Sequence, residues 1–319
     1  MDIGLPKPEE FPRFCTFWIE RPEQQARSIR AWALLDGPRV TGAYEFLITP
    51  GVEQTALDIE CQLFFRKQIA KLGVAPMSSM WAWDTASQPT KEKRPHVHDS
   101  DGLLIAGANG EWLWRPLARR KQVSVSRFQF DGLKGFGLMQ RDREPDHYRD
   151  DEARYHLRPS IWIKPRQPWG AGAVELLELP SGTEWEDNIA ACWVPQKPVR
   201  AGDVLAYAYQ VAFAAHDPVD HRGGRFVTTQ VESPAKVDTR FKLTIQGTAL
   251  RSLPADTVLE PVVTTNRGQV QGAACSKLPG GDWQLRFGLR RQGDGPAELR
   301  AFVRRGGKVL TETWSYLCN

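Results

Sequence analysis

Cysteine is scarce and unpatterned. The five in 319 residues, Cys15, Cys61, Cys192, Cys275 and Cys318, include no C-x-x-C pair, so the common zinc and dithiol motifs are excluded. Their number is odd and sequence does not pair them; buried free thiols are the expectation. No stretch approaches the ~20 apolar residues of a membrane-spanning helix, so no membrane span is expected. The amino terminus, MDIGLPKPEEFPRF, lacks the basic and apolar regions of a signal peptide. Charge of one sign is not in excess: 42 basic and 38 acidic residues leave +4. The one basic run, Arg119, Arg120 and Lys121, reads as a solvated turn, and nucleic acid is not expected as a partner. AGANGEW is not followed by Lys-Ser/Thr, which excludes a phosphate loop. LPSGTEW lacks the nucleophile-elbow pattern.

Helix signal is also sparse. RKQIAKLG (66–73), with Gly73 placed to stop it, is the best candidate, and DHYRDDEARY (146–155) is a second. Strand signal dominates. TFWIE, SIRAWALL, GAYEFLITP, TALDIECQLFF, SVSRFQF, SIWIKP, GAVELLELP, IAACWVP and DVLAYAYQVAF are short and rich in aromatic and β-branched residues. Each is bounded by Gly, Pro, Asp or Asn. In AYAYQVAF, Tyr207, Tyr209, Val211 and Phe213 share one face, opposite Ala206, Ala208 and Gln210, the period of a strand in a two-faced sheet. The expected class is all-β, built as sandwiches or barrels with long loops.

HDPVDHRGGR (216–225) is polar and carries Gly and Pro, so a boundary is placed after residue 222. Residues 1–222 form the larger β-sandwich. Residues 223–319 read as about seven short strands with turns such as NRG, PGGD and RRGG, an immunoglobulin-like sandwich.

Twelve tryptophans are many. Indole suits both a core and a stacking platform for sugars. Trp81 with Trp83, and Trp112 with Trp114, are i, i+2 pairs; Trp162 and Trp169 flank IKPRQP. Arg115 and Arg158 precede prolines and are candidates to fork onto hydroxyls or carboxylates. Acidic side chains gather in RPHVHDSDG (94–102) and in QRDREPDHYRDDEARY (140–155). The second is a long loop between strands, where catalytic groups are often mounted. With five arginines in or beside it, it reads equally as a solvated, salt-bridged loop. His96 and His98 are two apart on an extended segment, a spacing common by chance, and no metal is expected. His98, Asp99 and Asp101 are either a polar wall of a cleft or a structural loop in which Asp99 bonds to turn amides.

KLGVAPMSSMWAW, RPHVHDSDGLLI, NGEWLWRPL, GFGLMQRDR, EARYHLRPSIWIKP, WGAGAVELLELP, DNIAACWVPQKP and LRAFVRRGGKVLTETWSY stand in order along the chain. Together they strongly resemble the MdoG/OpgG/OpgD family of osmoregulated periplasmic glucan biosynthesis. The resemblance implies a galactose-mutarotase-like β-sandwich, partial here, followed by an immunoglobulin-like domain. Family members carry a signal peptide and further strands before the equivalent of GLPKPEEFPRF, so this chain is expected to be truncated, with exposed sheet edges. The resemblance also implies a periplasmic location, linear β-1,2-glucan as partner, no cofactor, and a homodimer as a possible assembly.

Members of the OpgD type are similar to inverting glycoside hydrolases or transglycosylases, which use two carboxyl groups. By that resemblance Asp150 is the general acid, with Asp142 and Asp151 behind it. Asp58 is a weaker candidate for the base. A polymer cleft would be lined by His98, Asp99, Asp101, Trp81, Trp83, Trp112, Trp114, Arg115, Gln140, Arg141, Tyr148, Arg158 and Trp162. A non-catalytic glucan-binding scaffold is the alternative.

Overall fold

In a computed structural model, described over residues 1–218, 221, 223–235 and 238–318, nearly every element is a strand. In chain order these are β1 (Arg13–Ile19), β2 (Ile29–Asp36), β3 (Val40–Thr49), β4 (Gln54–Phe65), β5 (Val74–Ser79), β6 (Trp81–Trp83), β7 (Val97–His98), β8 (Gly102–Gly107) and β9 (Trp112–Pro116). Then come β10 (Ser124–Phe130), β11 (Leu133–Met139), β12 (Ser160–Pro165), β13 (Gly172–Glu178), β14 (Ile189–Pro195) and β15 (Val204–Ala214). The remainder are β16 (Arg225–Ala235), β17 (Asp238–Gln246), β18 (Glu260–Thr265), β19 (Gln269–Lys277), β20 (Trp283–Arg290), β21 (Ala297–Arg305), β22 (Lys308–Val309) and β23 (Thr313–Cys318). Helix is confined to single turns: α1 (Pro145–Tyr148), a 3₁₀ turn at Tyr155–Leu157, and α2 (Thr248–Arg251).

The chain divides into two compact units. One comprises Met1–Gly110 and Ala118–Asp217; the other comprises Glu111–Leu117 and Pro218–Asn319. The expected boundary residue, Arg222, lies outside the described residues. β9 groups with the second unit through its parallel pairing with β23, where Trp114 stands opposite Trp314.

In the first unit, one antiparallel sheet runs in the order β1-β2-β3-β4-β15-β12-β11-β8 and a second in the order β10-β13-β14-β5. The alternation read in β15 has a physical basis. Tyr207 and Tyr209 point inward and are buried, whereas Gln210 on the opposite face bonds Asp58 of β4 at 3.1 Å. The two sheets face each other across a cavity of ≈ 580 Å³, lined by Tyr44, Ile59 and Tyr209 from one and Met77, Leu177 and Ala191 from the other. Trp193, Val174 and Leu176 are fully buried. By area alone one indole of that kind contributes about 4–6 kcal/mol, an upper figure. At the sheet's other limit, β1 is an edge and all seven of its residues are exposed, Phe17 and Trp18 among them. Such an edge leaves backbone donors and acceptors open to pairing.

The second unit contains β9-β23-β21-β18, with β22 on β21, and the sheet β16-β17-β20-β19. Phe241 stacks on Phe287 at 4.8 Å, and both meet Trp314 edge-on.

The expected helix over 66–73 does not form. Ile69 instead exchanges two backbone hydrogen bonds with Val199, 2.9 and 3.1 Å, and is fully buried. A bridge that buries a branched side chain outweighs a helix too short to nucleate well. The 146–155 candidate is helical only at its two ends.

Candidate functional site

Three loops of the first unit meet. They connect β6 to β7 (84–96), β11 to β12 (140–159) and β13 to β14 (179–188), with Asp99–Asp101 among them. Met80, Trp83, Val97, Tyr148 and Tyr155 form a buried apolar floor beneath them.

Each loop is held by side-chain acceptors placed on backbone donors. Asp101 takes the N–H groups of Arg141 and Asp142. Asp150 takes those of Glu152 (3.0 Å) and Ala153 (2.8 Å). The Asp150 turn is flanked by Arg149 and Arg154, both in the left-handed region at φ 53 and 49. Such strain costs about 1–2 kcal/mol per residue and persists where surrounding contacts over-determine the backbone. In the third loop, Asn188 bonds the backbone of Trp81 through both amide atoms and the carbonyl of Leu179.

Arg94 ties the loops together. Its guanidinium reaches Asp150 at 2.9 Å, Glu184 at 2.8 and 3.1 Å, and Glu92 at 2.9 and 3.1 Å. Tyr155 Oη donates to the same Glu184 at 2.5 Å. Arg94 also lies 5.5 Å over the Trp83 ring, whose Nε1 donates to the Arg94 carbonyl. The arginine holds the Glu92 carboxyl down to about 2 and that of Glu184 below its usual range. Burial works against ionisation of Asp150, yet its two N–H donors and Arg94 prevail and hold its pKa down.

Asp99 is the opposite case. Its backbone is fixed by an N–H bond to the Met80 carbonyl at 2.9 Å. One carboxylate oxygen is shielded from water and makes no hydrogen bond; Arg158 Nε stands 3.3 Å away. Burial pushes this carboxyl up, and the charge of nearby Asp187 pushes it further, against the pull of Arg158. Asp187 is exposed and accepts from Ser78 Oγ at 2.9 Å. Asp99 and Asp187 are therefore close enough for the charge of one to raise the pKa of the other.

A histidine cluster lies alongside. His98 is 2% exposed, donates through Nδ1 to Gln140 Oε1 (3.1 Å) and contacts His96 at 3.3 Å. His96 stacks near His147, which pairs with Asp142 at 2.7 Å. Burial and the neighbouring His98 lower the pKa of His96. Among the described residues no group of three His, Cys, Asp or Glu side chains is arranged to hold a metal ion, and no helix is long and apolar enough to cross a membrane.

Residues 1–318 match the family described as "Periplasmic glucan biosynthesis protein, MdoG". The chain belongs to that family. It is 40% identical over 339 residues to glucans biosynthesis protein D 1 of Ralstonia nicotianae, an alignment covering 99% of this chain and 63% of that protein. It is also 40% identical over 332 residues to glucans biosynthesis protein G of the same organism, covering 99% of this chain and 66% of the relative. The chain thus spans just under two thirds of the length of these curated relatives. Among solved structures, the galactosidase domain of an alpha-galactosidase–sucrose kinase overlays 64% of this chain and 28% of that one. The TM-score is 0.35 and the identity 7%, too low to bear on function.

Several expected contacts take other roles in this family member. Asp150 is ion-paired with Arg94 and accepts two backbone N–H groups, which together hold its pKa down. Asp142 bonds His147 and the Glu144 amide, and the exposed Asp151 lends its carbonyl to Arg154. Asp101 is a backbone cap. His98, Gln140 and Tyr148 are buried within the scaffold: Gln140 bonds the carbonyls of His98 and Tyr155, and Tyr148 donates to the Asp142 carbonyl. Arg141 pairs with Asp217 at 2.9 Å in a buried contact. Trp81 and Trp83 are buried, Trp81 stacked on His98, and a register shift between them breaks the simple alternation. Trp162 packs where Gly135 leaves room on the neighbouring strand. Trp169 sits edge-on to Tyr207 and Tyr209 in the core. Trp112, Trp114 and Arg115 belong to the second unit. There Trp112 meets His221, Trp114 is buried, and the buried Arg115 bonds Glu298 and Ser315. Asp58 pairs with Arg166 and Gln210 outside the loop cluster. Arg158 is exposed and stands 3.3 Å from Asp99.

Sequence reasoning missed Arg94, Glu184, Trp185 and Asp187. The signal was present: TEWED places three acids and a tryptophan in a loop bounded by Pro, Ser and Gly.

Proposed function

We propose that the loop cluster of the first unit acts on linear β-1,2-glucan in the making of osmoregulated periplasmic glucans. The reaction is inverting hydrolysis or transfer. Asp99 supplies the proton to the departing glycosidic oxygen, and Asp187, in water, activates the attacking hydroxyl. Arg158 orients Asp99. Arg94, Glu184, Asp150 and Tyr155 hold the loops in place without touching the reacting atoms. The same reading takes the first unit as the family's galactose-mutarotase-like sandwich, the second as its immunoglobulin-like domain, and the periplasm as the location.

The observation that carries this reading is the contrast between two carboxyl groups. Asp99 has an oxygen shielded from water that makes no hydrogen bond and faces only Arg158 Nε, with burial raising its pKa; Asp150 takes two amides and an arginine, which lower its pKa. A proton donor must hold its proton near the working pH. Family membership and the names of the relatives, glucans biosynthesis proteins G and D 1, support the substrate class.

The test is incubation of the purified chain with linear β-1,2-glucan, followed by product length and anomeric configuration. Asp99→Asn is expected to lower turnover by a factor on the order of 10²–10⁴. The wild-type rate is expected to fall as pH rises through the raised Asp99 pKa. Turnover retained by Asp99→Asn and lost in Asp150→Asn would return the acid role to Asp150. Glucan binding without any product would make the protein a scaffold in backbone assembly.

A further inference from the structure

Trp185 is 88% exposed. Large apolar side chains left in water singly are common on protein surfaces, but this one differs in what surrounds it. Its neighbours in the chain on either side are fixed. Glu184 is held by Arg94 and by Tyr155 Oη. Glu186 accepts from Ser181 Oγ at 3.0 Å, and Asp187 accepts from Ser78 Oγ. Asn188 is locked to the backbone of Trp81 and Leu179. The Trp185 N–H itself donates to Thr183 Oγ1 at 3.0 Å, and Thr183 N–H donates to Ser181 Oγ at 3.2 Å. Every other side chain from Glu184 to Asn188 is turned to a partner, and the indole is turned to water.

A loop braced this way fixes the position of the ring without covering it. The ordering cost of a bound ligand is thereby reduced, since the backbone that carries the ring is already set. The indole offers a flat apolar face two residues from Asp187, on the loop that carries one member of the carboxyl pair. A pyranose presents a patch of C–H groups on one face and hydroxyls around its rim. The face suits the indole, and the rim suits the acidic groups of the same loop.

We infer that Trp185 is a saccharide-stacking residue, forming a subsite for a glucose ring of the polymer beside the Asp99–Asp187 pair. The inference rests on the glucan reading of this site. It assigns to Trp185 binding of the polymer and no part in proton transfer.

The probe is linear β-1,2-glucan of defined length, titrated into the full chain carrying Asp99→Asn so that turnover does not intervene. Affinity is read by calorimetry, and the variants Trp185→Ala and Trp185→Phe are placed in the same background. Expected are a roughly tenfold weaker Kd for Trp185→Ala, substantial recovery with Trp185→Phe, and unchanged melting temperatures for both. In the active chain, Trp185→Ala should raise KM and leave the pH profile of kcat in place. Equal affinity of Trp185→Ala and its parent overturns the stacking role while leaving the glucan reading intact. Absence of glucan binding by the parent, with the chain folded, overturns both. Loss of affinity together with a lowered melting temperature, not recovered by Trp185→Phe, would make Trp185 structural and also overturn the inference.

Discussion

Replacing Arg94 with methionine tests how the loops are held. Methionine keeps much of the aliphatic stem and its packing against Trp83, and removes the guanidinium. Lost with it are the hydrogen bonds to Asp150, Glu184 and Glu92. The side chains of these groups are between 9% and 23% exposed, so screening by water is partial. Removing one partner of a buried ion pair costs about 3–5 kcal/mol, chiefly through the charges left behind. Partial exposure places this site at the low end, about 3 kcal/mol. For a unit of this size that is roughly 6–12 °C in melting temperature. The pH dependence is the sharper test. The folded-state pKa values of Glu92, Asp150 and Glu184 are lowered. Their contribution is therefore present above the unfolded carboxyl values and lost as pH falls through the folded ones, for Glu92 near 2. The gap between wild type and Arg94→Met should be full at pH 7 and shrink steadily below about pH 4. Adding Asp150→Asn and Glu184→Gln should recover part of the loss. Thermal melts from pH 7 to pH 3 decide the matter. A gap that stays constant over that range, or no recovery in the triple variant, would refute the account.

Asp101→Ala removes the acceptor for two backbone N–H groups, Arg141 and Asp142. A loss of about 1–3 kcal/mol is expected, with faster hydrogen exchange confined to the 140–159 loop. Gly137→Ala would drive a methyl group into the Ile161 carbonyl oxygen and to 2.9 Å from Trp162 Cα on the neighbouring strand. Because backbone must move, at least about 3 kcal/mol is expected, read as a lowered denaturant midpoint.

The strands were legible because their cause is local. Alternation in segments such as AYAYQVAF says which side chains seek an apolar neighbour, and a strand satisfies that whatever its partner. The all-β class follows from the same patterns. The 66–73 segment misled for a complementary reason: its helical spacing is real, but the pairing of Ile69 with Val199 is set by residues far along the chain.

The reactive loops were legible only as a composition. That acids and arginines gather in 140–155 is visible in the letters; which acid meets which arginine is not. Arg94 is 56 residues from Asp150 and 90 from Glu184. Local sequence cannot tell that it pairs with Asp150 while Asp99 is left with a shielded oxygen. Nor can it tell that Trp114 and Arg115 are built into another unit. Ionisation depends on desolvation and on charges a few ångströms away, and both are properties of the folded surface. Periodicity therefore determined the kind of scaffold, and tertiary contacts alone decided in which direction each carboxyl group on it is shifted.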